Sequence, residues 1–231
     1  MATKKLELIP TLTEGCMLGI KNFVSLLLTV ILYGLTAWIP WLNVGTTIGL
    51  YRIIIDMTKG KVINPTSIFD KDNFTNLGNF FLLLAIMTIG ISAACLFMFV
   101  PGIIMGIAWG FAIYLLIEKK VSPLQALALS DKATYGEKWI IFGIQIVFWI
   151  AVGIVSGIFA LIPKVGGIFA AIVMILALAI YVAIEAVMYR HFADKAEEIL
   201  AQEAVDLVAK ANAPVAEPVV EAPVEEAPAA E

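Results

Sequence analysis

Hydrophobic positions along this chain come in long unbroken blocks rather than at the spacing of an amphipathic helix or strand. The longest runs from Asn73 to Ile117, 45 consecutive residues without a charge. As one helix it would measure roughly 68 Å at about 1.5 Å per residue, against about 30 Å of bilayer hydrocarbon. The block therefore predicts two spans, with the turn supplied by Val100, Pro101 and Gly102 at its middle. Ile39-Pro40 and Ile162-Pro163 repeat the device between other apolar stretches. Three hairpins follow, with spans predicted at 14–38, 41–57, 75–99, 102–117, 138–161 and 166–190. The expected fold is an all-α integral membrane protein of six transmembrane helices, with Pro40, Pro101 and Pro163 at outward turns.

Charge placement supports that reading. With six spans, 14 of the 15 Lys and Arg residues fall on one side and Lys164 alone on the other. By the positive-inside rule the crowded side is the cytosol, so both termini are expected there. A single span across 73–117 would divide the basic residues between the two faces. The second span is the weakest, because only 30 residues lie between Lys21 and Arg52.

Composition narrows the class. At 61% hydrophobic residues and a mean hydropathy of +0.95, the chain holds more apolar surface than a soluble domain of this size buries. Lys4 and Lys5 before an apolar run could suggest a cleaved signal peptide. Glu7 and Glu14 interrupt that pattern, no small-residue cleavage site follows, and the first helix reads as an uncleaved anchor. Residues 1–192 carry 13 basic and 9 acidic residues, whereas 193–231 carry 2 and 10, so a basic membrane domain precedes an acidic tail. Cys16 and Cys95 are expected to be buried free thiols.

Helix starts are predicted by capping boxes at Thr11 with Glu14 and at Thr134 with Glu137. Asn64-Pro65 and Ser122-Pro123 have the form of an N-cap followed by a first helical proline, thirteen positions ahead of Gly78 and Gly136. This similarity between the two cytosolic loops suggests duplicated hairpins, and PLQALALSDK is expected as a short surface helix. The stretch VPGIIMGIAWGFAIYLLIEKKVSPLQALALSDKATYGEKW, through Pro101, Gly102, Pro123, Ala126, Leu127, Ser130 and Gly136, resembles a loosely defined group of bacterial multi-pass proteins of unknown function. That group is similar in style to the membrane domain of some glycerophosphodiester phosphodiesterases. The resemblance spans roughly 75–192, and no phosphodiesterase domain is present. It therefore implies a location in the bacterial cytoplasmic membrane and no lipid hydrolysis.

Residues suited to catalysis are scarce. The one histidine, His191, sits beside Arg190 at a predicted helix end, where it complements the helix dipole more readily than it binds a metal. No metal-ligand, nucleophile-elbow or phosphate-loop motif occurs, and no cofactor, metal site or nucleic-acid partner is expected. Glu185 is the one acid well inside a predicted span, which makes it a candidate by default. Tyr181 shares its face four residues away, and Gln145 and Arg52 are expected at similar depth. These four are either a polar cluster lining a cytosol-facing cavity or a structural clamp, with an Arg52–Asp56 pair as another possibility. Gly102, Gly106 and Gly110 form a ladder predicted to let a second helix approach closely.

After the 1–192 membrane domain, residues 193–211 carry apolar residues at helical spacing opposite acids and predict a cytosolic amphipathic helix. Residues 212–231 are rich in Ala, Pro, Val and Glu and read as a disordered acidic tail. The leading functional expectation is a non-enzymatic scaffold or interaction partner in envelope upkeep. Its partners are membrane lipids and either another membrane protein or a cytosolic protein that meets the tail. The alternative is a small transporter or channel built around Glu185.

Overall fold

The computed structural model describes residues 5–75 and 77–211, so the acidic segment 212–231 lies outside the described residues. In chain order the helices are α1 (Leu8–Lys21), α2 (Phe23–Thr36), α3 (Pro40–Thr58), α4 (Leu77–Phe97), α5 (Phe99–Trp109), α6 (Ala112–Lys119), α7 (Pro123–Thr134), α8 (Lys138–Ala160) and α9 (Gly166–Ala211). Two short 3₁₀ turns, Pro65–Phe69 and Lys71–Phe74, separate α3 from α4. No strand occurs among the described residues.

Four units are long and apolar enough to cross a membrane: α4, α5 continued by α6, α8, and α9. Counting the bent pair α1 and α2 as one makes five. Their outward faces carry large apolar side chains such as Leu82, Ile89 and Leu96 on α4 and Ile150, Ile154 and Ile158 on α8. Exposed apolar area on that scale belongs in lipid, and the chain is a membrane protein.

The predicted first span, 14–38, is not one helix. α1 begins six residues earlier, at Leu8, and meets α2 at an angle of 84°. Asn22 makes the break: its backbone N–H and its side-chain amide both donate to the Leu18 carbonyl, at 3.1 and 3.0 Å, ending α1. Thr11 thus falls inside α1 rather than capping it, and Glu7 holds the cap position without a side-chain bond. The second predicted box fails too, because Thr134 bonds back to Ser130 in α7 and Glu137 turns inward.

Pro101 does not hold the turn expected of it. Pro40 is the first residue of α3 and Pro163 lies between α8 and α9. The reversal between α4 and α5, however, is at Met98, and Pro101 sits in the first turn of α5, where an N–H has no intrahelical partner to lose. Gly102 then lets Cys95 of α4 press against the α5 backbone. Cys95 is exposed rather than buried.

The loop helix was expected on the surface. Instead α7 buries Ala126, Leu127, Leu129, Ser130 and Ala133, and its Ser122 cap accepts from the Gln125 N–H at 3.3 Å. Ser130 explains the depth: its hydroxyl donates at 2.6 Å to the carbonyl of Ala108, in the last turn of α5 where the helix breaks before α6. That carbonyl sits among the last four of α5, which lack intrahelical donors.

α9 continues unbroken for 46 residues through the segment read as a separate amphipathic helix. Three ion pairs hold the extension against its neighbours: Glu137 with Lys195, Lys119 with Glu197, and Lys132 with Glu203 at 2.7 Å. α1 packs along the other side of α9 in antiparallel sense. Gly15 and Gly19 make this possible, since a Cβ at either would lie 2.8 Å from Ile184 Cα or 3.2 Å from Ile180 Cα.

Candidate functional site

Glu185 lies four residues, about 6 Å, along α9 from the level of Tyr189, where charged groups gather at one end of the bundle. There Tyr189 donates to Glu118 of α6, and Glu118 pairs at 2.7 Å with Lys59, the residue that follows α3. Above Tyr189 the aromatic core forms a column. Tyr114 stacks on Tyr189 at 4.7 Å, Phe111 lies between Tyr189 and Phe192, and Tyr51 meets Tyr114 edge-on at 4.7 Å. This column sets Tyr114 and Tyr51 beside Glu185.

The carboxylate accepts from two hydroxyls on two helices. Tyr181, one turn away on α9, donates to Oε1 at 2.6 Å, and Tyr114 of α6 donates to Oε2 at 3.2 Å. Gln145 of α8 donates to the Tyr181 oxygen at 3.4 Å. A carboxylate has about four lone-pair sites, so acceptor capacity remains on Glu185. It is only half-buried, and it lines two clefts that share Gly110. One, of about 270 Å³, lies between α5 and α8 and is lined by Gly106, Gln145 and Phe142. The other, of about 390 Å³, lies between α2, α3, α6 and α9 and presents Tyr33, Tyr51, Tyr114 and Tyr181.

The structure thus brings together Glu185, Tyr181 and Gln145 but not Arg52. Arg52 turns the other way, donating at 3.1 Å to the Asp72 carbonyl in the second 3₁₀ turn, and Asp56 pairs with Lys61 rather than with it. One helical position, 100° of rotation, separates the two outcomes: Tyr51 points to the carboxylate and Arg52 away. The glycine ladder also divides. Only Gly102 meets another helix; Gly106 has open space around it, and it lines the smaller cleft with Gly110. Tyr114 and Tyr51 escaped the sequence reading. Their signal was depth, since Tyr114 precedes Glu118 by the same four residues that separate Glu185 from Tyr189.

A second polar centre was also missed. Glu137, only 4% exposed, accepts from the Leu6 N–H at 2.8 Å, from Lys195, and lies 3.0 Å from His191 Nε2. Burial pushes its carboxyl up, but the Lys195 and Leu6 bonds and the charges of His191 and Lys195 outweigh it and hold it below its ordinary range. This knot joins the N-terminal end of α1, the start of α8 and the extension of α9. Among the described residues no cluster of three His, Cys, Asp or Glu is placed to hold a metal.

Family models, curated proteins and solved structures give no match to this chain. The site is therefore read from its own geometry. A carboxylate ringed by tyrosines in an apolar cleft suits a positively charged organic group. Aromatic faces attract cations, the carboxylate supplies the countercharge, and the aliphatic walls of Leu50, Ile54 and Leu178 suit an apolar body.

Proposed function

We propose that this protein is a non-enzymatic multi-pass protein of a bacterial cytoplasmic membrane, the location the family resemblance implies. In this reading it binds, and passes across or within the membrane, a small apolar cation at Glu185. The observation that carries the proposal is the part-buried carboxylate held by Tyr114 and Tyr181 and shared by two clefts. A purely structural clamp has no need of open space on both sides of its charged group. The test uses purified protein and a series of quaternary ammonium ions of increasing alkyl length. Saturable binding that Glu185→Gln weakens at least tenfold, with thermal stability retained, supports the reading. Binding that is absent, or unaffected by Glu185→Gln, refutes it.

The proposed topology is four spans, α4, α5–α6, α8 and α9, with both termini cytosolic. α1, α2 and α3 enter the cytosolic leaflet and return without crossing. The motive is the turn segment 65–74, whose Asp70, Lys71 and Asp72 belong in water or headgroups. It packs on the middle of α3, with Phe74 against Gly45 and Asn73 and Ile68 against Gly49. A helix that carries this segment along its length lies near the surface. Labelling in a background without Cys16 and Cys95 tests it. An impermeant maleimide outside the cell should reach Lys164→Cys and spare Trp38→Cys; modification of both restores six spans.

The interaction-partner reading keeps one specific support. The α9 extension presents Val205, Leu207 and Val208 to solvent, each more than half accessible. This face gives the protein a second role as a cytosolic contact, which cross-linking from position 205 in native membranes would detect.

A further inference from the structure

Away from Glu185, a third cleft of about 270 Å³ opens between α3, the start of α4 and the end of α6. Its polar lining is Arg52, Lys120, Thr75 and Asn79. Neither cation has a carboxylate within 4 Å among the described residues, in a region where Lys59, Lys61 and Lys119 are all paired. Asp72 meets Arg52 through its backbone carbonyl, and its carboxylate pairs with neither cation. The bonded Arg52 nitrogen is Nη2, so the rest of the guanidinium fork keeps its donors.

Two further features point the same way. Thr75 and Asn79 flank the first turn of α4, a 21-residue helix whose N-terminal N–H groups favour an anion. Lys120 occupies a left-handed position, φ 53° and ψ 31°, at the end of α6, where glycine is the usual residue. A lysine held there brings a charged side chain to the cleft at some conformational expense, and Lys119 already serves the helix dipole from the last turn. The other walls are apolar, formed by Ile48, Phe80, Leu116, Ile117 and Val121.

We infer that this cleft binds the phosphate of an anionic phospholipid, held between Arg52 and Lys120. Guanidinium and ammonium donors on a phosphate are strong charge-assisted pairs, and a basic pocket between helices on the cytosolic side fits such a headgroup. The inference is independent of the Glu185 site, because the two clefts share no lining residue.

The experiment is native mass spectrometry of the full chain after reconstitution with equimolar phosphatidylglycerol and phosphatidylcholine. Wild type is expected to retain phosphatidylglycerol preferentially. Lys120→Gln and Arg52→Gln should each lower that retention about fivefold or more. Lys21→Gln, an exposed cation outside the cleft, should leave it unchanged. Should Arg52→Gln disturb the Asp72 contact and unfold, Lys120→Gln alone decides. Equal retention by wild type and Lys120→Gln overturns the proposal. Displacement of the lipid by millimolar inorganic phosphate also overturns it, by assigning the site to a soluble anion.

Discussion

Replacing Glu137 with Gln removes a charge from the most buried ion pair among the described residues. Glu137 is 5% exposed as a side chain and its partners Lys195 and His191 are 15% and 19% exposed. Breaking a buried pair from one side typically costs about 3–5 kcal/mol, because the remaining charge stays desolvated. Lys195 retains some contact with water, so about 2–3 kcal/mol is the expectation for Glu137→Gln. Glu137→Ala also strips the acceptor from the Leu6 N–H and should reach about 3–5 kcal/mol. Most of this is the unpaired cation. Adding Lys195→Met to Glu137→Gln should therefore recover part of the loss.

The assay is thermal unfolding in detergent at pH 7, with amide hydrogen exchange over residues 8–21. Exchange is the more specific readout, because the knot pins the start of α1 to α8 and α9. The pH dependence has a definite sign. Since Glu137 is held below its ordinary range, its contribution is complete above the unfolded-chain value of about 4.3. It is lost as pH falls through the lowered folded value, so wild type and Glu137→Gln should converge in acid. Glu137→Gln lying within about 0.5 kcal/mol of wild type at pH 7, with α1 equally protected, would refute the reasoning.

Four further substitutions separate packing from polarity. Gly15→Val should destabilise by about 1–3 kcal/mol, because its Cβ would meet the Ile184 backbone, whereas Gly34→Ala, with open space around it, should be neutral or slightly stabilising; thermal midpoints compare them. Ser130→Ala leaves the Ala108 carbonyl without its donor in a buried setting, and a loss of about 1–3 kcal/mol is expected in the same assay. Lys132→Ala breaks an exposed pair with Glu203 and should change stability by under about 1 kcal/mol.

The long apolar blocks were legible as helices because an unbroken apolar run of about 20 residues satisfies its backbone in lipid as a helix, whereas barrel strands are shorter and alternate. The caps at Asn64 and Ser122 were legible because each acts within three residues. What failed depended on contacts distant in sequence. Thr134 and Glu137 have the spacing of a capping box, yet Glu137 is drawn inward by Leu6, His191 and Lys195, 131, 54 and 58 positions away. Of the site, Glu185, Tyr181 and Gln145 followed from depth along their helices. Arg52 failed because depth does not fix rotation about the helix axis, and the rotation that takes Arg52 to Asp72 delivers Tyr51 to the cluster instead.

Charge counting illustrates the same boundary at the scale of topology. Every basic residue before α4 lies on the crowded side whether α1–α3 cross twice or return within one leaflet, because the link between α2 and α3 contains no Lys or Arg. The distribution of 14 against 1 is thus identical for four spans and for six, and the positive-inside rule has no power between them. The difference lies in where the polar turns 65–74 rest. A sequence shows that Gly45 and Gly49 leave one side of α3 bare, but not which element fills it. A helix from the apolar bundle there would be compatible with a span; Phe74 and Asn73, next to Asp72 and Lys71, fill it instead, which is the ground for the shallow placement proposed for α3. The same arrangement takes Arg52 to the Asp72 carbonyl and into the cleft it lines with Lys120, so the shallow placement proposed for α3 and the basic cleft rest on one packing contact.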